Sequence, residues 1–179
     1  MESRTTFIRD FESVFVPGLL QTPDNARSRL AVPIDYAGAP SDGLDDAVTT
    51  RMQRQQVLYQ PGKKIHIVMT EAALRYRLCD EAAMAAQLDR LTVATTIPHI
   101  RFGVIPLEAR YRAPPTNGFW IFDRNLVRVE TATAEQHSSH TALIVSSVGF
   151  ARVARAFRRD RGRRDRRCLP SGRRRSRHP

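Results

Sequence analysis

Residues 65–91 read IHIVMTEAALRYRLCDEAAMAAQLDRL, and the change of pattern inside them decides the fold class. Ile65-His66-Ile67-Val68-Met69 is a short apolar run bounded by Gly62 and Thr70, which predicts a strand. Thr70 is expected to cap a short helix over 71–77. Asp80 is expected to cap a longer helix over 81–92, with Met84, Leu88 and Leu91 on its inner face. Downstream, Ile100, Phe102 and Val104 alternate with Arg101 and Gly103, giving a second strand. A loop at 107–117 contains Pro114-Pro115. Two more strands, 119–122 and 126–129, flank Asp123-Arg124-Asn125 in a hairpin-like connection. Upstream, 44–59 predicts a helix with Leu44, Val48, Met52 and Tyr59 as its apolar stripe and Gln55 on the same side. Residues 33–43 predict a loop. Thr22-Pro23-Asp24 opens a helix expected to reach about residue 30. Phe7, Ile8, Phe11 and Val14 suit a helix or an irregular apolar lead-in, broken by Pro17-Gly18. The order of helices, a strand, helices and then three strands predicts an α+β fold with helices packed on a small antiparallel sheet.

Charge divides the chain. Residues 1–150 carry 16 Lys plus Arg against 16 Asp plus Glu, whereas residues 151–179 carry 13 Arg against 2 Asp. The whole excess of +11 therefore belongs to the last 29 residues. A nucleic-acid reader usually carries its basic patch on the folded body, and here that body is neutral. The basic run has no apolar periodicity, so it predicts a disordered tail over 151–179. Within it, Arg158, Arg159, Arg163 and Arg164 are weak candidates for phosphate contacts. Nucleic-acid binding through this tail is the alternative function.

Other classes have little support. No run approaches the roughly 18 apolar residues of a membrane span, and no secretory signal opens the chain. Cys79 and Cys168 are isolated, so neither a disulfide framework nor a zinc site is expected, and a cytoplasmic location follows. His137 and His140 lack further ligands for a metal. There is neither a phosphate-binding glycine loop nor a nucleophile elbow. The expectation is a non-enzyme without a cofactor.

An ordered series of motifs runs through residues 5–135. Val16-Pro17-Gly18-Leu19-Leu20-Gln21-Thr22-Pro23 leads to Ala26-Arg27. Arg51, Arg54 and Gln55 follow, then Thr70-Glu71-Ala72-Ala73-Leu74 and Gln87-Leu88-Asp89-Arg90-Leu91. The stretches 102–106, 118–123 and 127–130 complete the series. Together they resemble domain of unknown function 5753, the C-terminal half of actinobacterial helix-turn-helix regulators of the XRE and WhiJ type, abundant in Streptomyces. The resemblance implies a sensor-like regulatory domain over 1–135, acting in an antitoxin-like arrangement. It implies a small BldB-type partner protein or a small-molecule ligand, with full-length relatives as further partners. The DNA-reading half that precedes this domain in the family is expected to be missing, so no specific DNA binding is expected of this chain. Residues 136–150 depart from the family pattern and read as a degenerate or replaced C-terminal element.

Six residues are candidates for the ligand or partner site. Arg51 and Gln55 share a helix face, where they could hold an anion, pair with Glu71, or form a structural network. Arg54 belongs to the same motif. Trp120 could line a cleft below the 107–117 loop or simply fill the core. Glu71 and Glu130 are the remaining acidic candidates.

Overall fold

The computed structural model describes residues 4–110, 117–123, 126–130 and 135–138. The fold is α+β, as the sequence predicts. Six strands form one sheet: β1 (Phe7–Glu12), β2 (Lys64–Thr70), β3 (Ile100–Ile105), β4 (Phe119–Phe122), β5 (Leu126–Glu130) and β6 (Glu135–Ser138), in the order β3-β2-β1-β4-β5-β6. The sheet is mixed. β1 pairs with β2, and β2 with β3, in parallel. β1–β4, β4–β5 and β5–β6 are antiparallel. Parallel neighbours need long crossovers, and the helical segments 13–63 and 71–99 supply them. Both crossovers step the same way across the sheet, so a right-handed connection brings both to one face.

β1 corrects the reading of its segment as a helix or apolar lead-in. Its apolar offsets do fit a helix, but a central strand is buried on both faces and does not show a simple alternation. Ile8 faces the larger core together with Ile65, Ile67, Met69, Ile100, Trp120 and Phe122. Phe11 faces the other side, with Val68, Ile105, Ile121 and Val127. The turn after β4 is tied to β1. Asp123 has a positive φ of 51°, and its Oδ1 accepts from the backbone of Thr6 and Phe7 at 3.1 and 2.8 Å.

Four helices complete the described fold: α1 (Pro23–Ala37), α2 (Leu44–Arg54), α3 (Ala72–Arg75) and α4 (Glu81–Ala94). The caps read from the sequence at Thr22 and Asp80 are present, accepting from the backbone N–H of Asn25 and Ala83. α1 runs seven residues past the expected end at Leu30, through Pro33, and stops at Gly38, which takes the left-handed conformation (φ 60°) that glycine adopts without strain. Half of the expected 33–43 loop is therefore helical. Thr70 does not cap α3: its hydroxyl donates to the Ser13 carbonyl at 2.6 Å, joining the ends of β1 and β2. α2 tightens after Arg54 into a 3-10 turn, Gln55–Tyr59, and Tyr59 is exposed rather than inward. On α4 the inner face is Gln87, Leu91 and Ala94, whereas Leu88 is 43% exposed. The expected disordered tail, and most of 136–150, lie outside the described residues.

Candidate functional site

The segment Gly18–Leu20 is a 3-10 turn between β1 and α1. It buries polar backbone that belongs to no helix or sheet, and such groups need partners. Buried glutamines supply them. The Gln87 side chain, fully buried, donates from Nε2 to the Leu20 carbonyl and accepts through Oε1 from the Thr22 N–H, both at 2.8 Å. Gln55 Nε2 donates to the carbonyls of Gly18 and Gln21 at 3.0 and 2.8 Å. Gln55 Oε1 accepts from Arg90 at 3.3 Å. Gln21 in turn donates to Asn25 Oδ1 and accepts from Arg51 Nη1 at 2.8 Å. These bonds clasp the turn between α2 and α4, and they engage both the donor and the acceptor of Gln55 within the protein.

Beside this clasp, at the carboxyl end of β1, lies a narrow cleft of about 40 Å³ lined by Glu12, Phe15, Gln21, Arg29, Arg51, Arg54 and Trp120 among others. Each arginine is held against a defined neighbour. Arg51 bonds Gln21, the Arg54 guanidinium sits 5.7 Å from the centre of the Trp120 ring, and the Arg29 guanidinium sits 3.7 Å from that of Phe15. Glu12 is nearly buried, and its carboxylate rests on Gly118. A Cβ at position 118 would stand 2.6 Å from Glu12 Oε2, so glycine leaves the room that this carboxylate occupies. Trp120 is 2% exposed, and among the described residues no acceptor meets its indole N–H. A buried donor of that kind ordinarily has a partner.

Of the sequence-derived candidates, the cleft gathers Arg51, Arg54 and Trp120, and Gln55 lies next to them in the clasp. Glu71 stands apart and does not pair with Arg51. Its Oε1 accepts from Arg75 Nε and Nη2 at 3.0 and 2.5 Å, and its Oε2 accepts from the Leu107 backbone at 3.1 Å. Glu130 is the last residue of β5, opposite Glu135 in the register. Arg158, Arg159, Arg163 and Arg164 lie outside the described residues. Glu12, Gln21, Arg29 and Phe15 were not singled out in the sequence. Gln21 and Gln87 do stand within motifs quoted there, and a buried-side position for an amide on an otherwise apolar face was the available signal. Among the described residues no group of three His, Cys, Asp or Glu could hold a metal ion, and no helix is long and apolar enough to cross a membrane.

The bond from Arg75, followed by that from Leu107, holds the Glu71 carboxyl below its ordinary value of 4.5. A depressed carboxyl pKa stabilises the fold above the unfolded value, and that contribution fades as pH falls through the folded one. Glu71→Gln is therefore expected to lower the melting temperature slightly at neutral pH. The gap from the wild type should begin to narrow as pH falls through the ordinary carboxyl value of 4.5 and should close only once the folded-state carboxyl, held lower, is itself protonated. Thermal melts across that range check this, and a gap independent of pH would show that the carboxylate charge is immaterial.

No curated protein and no solved structure matches the chain. One family model does, over residues 1–161, a span that contains the β1–α1 turn, both clasping glutamines and every residue named in the cleft. The chain thus belongs to the family described as "Domain of unknown function (DUF5753)".

Proposed function

We propose that this domain is the binding and regulatory module of a helix-turn-helix transcriptional regulator, and that the cleft beside β1 receives its effector. One observation carries the reading. Arg29, Arg51 and Arg54 line one small opening together with Gln21 and the Trp120 side chain, residues brought together from α1, α2, the turn before α1 and β4. Pocket-lining donors at the carboxyl end of a strand beside helical crossovers are a common binding arrangement in sheets of this type. The resemblance to the WhiJ-type regulators supports the regulatory side of the reading, with a small BldB-type protein as partner. The module acts by binding alone, without a catalytic step.

The test joins the chain to a helix-turn-helix domain with a known operator and measures reporter repression in Streptomyces. The Arg51→Ala/Arg54→Ala double variant is expected to change repression several-fold while remaining folded, since the loss of charge-assisted contacts costs on the order of 1.5–3 kcal/mol each. Equal repression by the two proteins at equal abundance would count against the cleft as the regulatory site. In parallel, immobilised chain should retain a BldB-type protein at roughly micromolar concentration, and the double variant shows whether that contact uses the cleft.

A further inference from the structure

We propose that the projecting end of α1 is a docking arm, and that its occupant is the chain's own Arg-rich segment, residues 158–179. The arm lies apart from the cleft, and its role does not depend on what the cleft binds.

Arg27 pairs with Asp45, and Arg51 reaches Gln21, so α2 runs antiparallel beside the first half of α1. From Arg27 to its end at Ala37, α1 continues for about 15 Å. No residue from 31 to 43 is buried, and Val32, Pro33, Asp35, Tyr36 and Ala37 are exposed. Helices ordinarily stand by packing one apolar face. This end buries none and contains Pro33, yet it stays helical to the cap at Gly38. Val32, Asp35 and Tyr36 share one face by their spacing, and the Tyr36 ring is 94% exposed. The arm thus offers an aromatic and apolar surface that nothing described covers.

Charge identifies the occupant. Residues 30–50 carry four Asp and no Lys or Arg, and all four aspartates are exposed. Counting Arg27, the partner of Asp45, against them leaves −3. Two such arms repel one another, so a second copy of the arm is a poor occupant. Residues 158–179 carry 11 Arg and 2 Asp, in a chain whose first 150 residues balance to zero. Guanidinium groups also suit an open tyrosine ring. The fold already lays Arg9, Arg29, Arg54 and Arg128 over Phe7, Phe15, Trp120 and Phe122. Reach is ample. The residues 139–157 can span up to about 65 Å, whereas a domain of this length has a radius of gyration of about 16 Å. Tethering on one chain raises the effective concentration of the segment to about millimolar. Arginines held by the arm are withheld from phosphates, so the arm restrains nucleic-acid binding by the tail.

In the test, the full chain carries a photoactivatable benzophenone on Cys168, and Cys79→Ser removes the other thiol. Crosslinks should fall on residues 32–46 of the same molecule and vanish at about 0.5 M salt, where screening acts within a few ångströms. Fluorescence anisotropy with an oligothymidine of about 20 nucleotides reads the consequence. The triple variant Asp35→Asn/Asp42→Asn/Asp46→Asn should bind it about tenfold more tightly, and Tyr36→Ala about threefold. Removing carboxylates draws any polyanion closer, so Glu81→Gln/Asp89→Asn/Glu108→Gln, also at exposed positions, is the control. It removes the same charge elsewhere and should tighten binding less than about twofold. The proposal is overturned if crosslinks avoid 32–46, if they join two molecules, or if both triple variants tighten binding equally. Should the oligonucleotide bind none of these proteins, the crosslink map alone decides.

Discussion

Gln87→Leu is expected to be among the most damaging substitutions in the chain, although leucine is apolar, nearly equal in size and a good helix former. Gln87 is fully buried, and its amide satisfies both the Leu20 carbonyl and the Thr22 N–H. Leucine would fill the space and leave both backbone groups dry and unpaired. Each such group costs about 1–3 kcal/mol, so the sum is about 2–6 kcal/mol. That is a large part of the 5–15 kcal/mol that holds an ordinary domain folded. Gln87→Glu separates the two bonds, because a carboxylate accepts from Thr22 but cannot donate to Leu20. Denaturant titration should rank wild type above both variants. A Gln87→Leu protein within about 0.5 kcal/mol of wild type, the range of a neutral surface change, would mean that water or a shifted turn satisfies the two groups.

The second large effect is expected at Phe11. Its ring is 1% exposed on the face of the sheet opposite the larger core, 5.2 Å from the Phe119 ring and beside Val68, Ile121 and Val127. Phe11→Ala removes that ring from a close-packed layer and should cost about 3–5 kcal/mol. Read as part of an irregular lead-in, the same residue would tolerate alanine with a loss below about 1 kcal/mol. Chemical denaturation of the variant thus tests the placement of β1 at the centre of the sheet. An alanine substitution at Tyr36, 94% exposed near the end of α1, provides the contrast and should be close to neutral.

The contrast between these positions shows what the sequence carries locally. β2, β4 and β5 announce themselves by β-branched and aromatic runs between turn residues, and Thr22 and Asp80 mark helix starts by chemistry confined to three residues. β1 gives no such signal. Phe7, Ile8 and Phe11 satisfy helical spacing as well as a strand buried on both faces, and only its pairing with β2 and β4 distinguishes the two. The sheet was expected to be antiparallel from the order of its elements, helices, a strand, helices and then three strands, whereas β1, β2 and β3 run parallel. The parallel half depends on crossovers whose direction no local pattern encodes. The site divides in the same way. Arg51, Arg54 and Trp120 stood out as a motif and an aromatic strand. Glu12, Gln21 and Arg29 join them only because β1 runs down the middle of the sheet and delivers its end to the cleft. Gln55 and Gln87 look like polar interruptions of apolar stripes, and their use emerges once the turn at Gly18–Leu20 is seen between them.

The glutamine clasp also sets an order of events in time. Gln55 reaches back 34 and 37 residues to its acceptors, and Gln87 reaches back 65 and 67. Closing segments of that length is slow, and contacts of high sequence separation form after local ones. The turn at Gly18–Leu20 therefore cannot complete its bonds until the segments carrying Gln55 and Gln87 have both docked on it. Gln87→Leu should accordingly accelerate unfolding far more than it slows refolding.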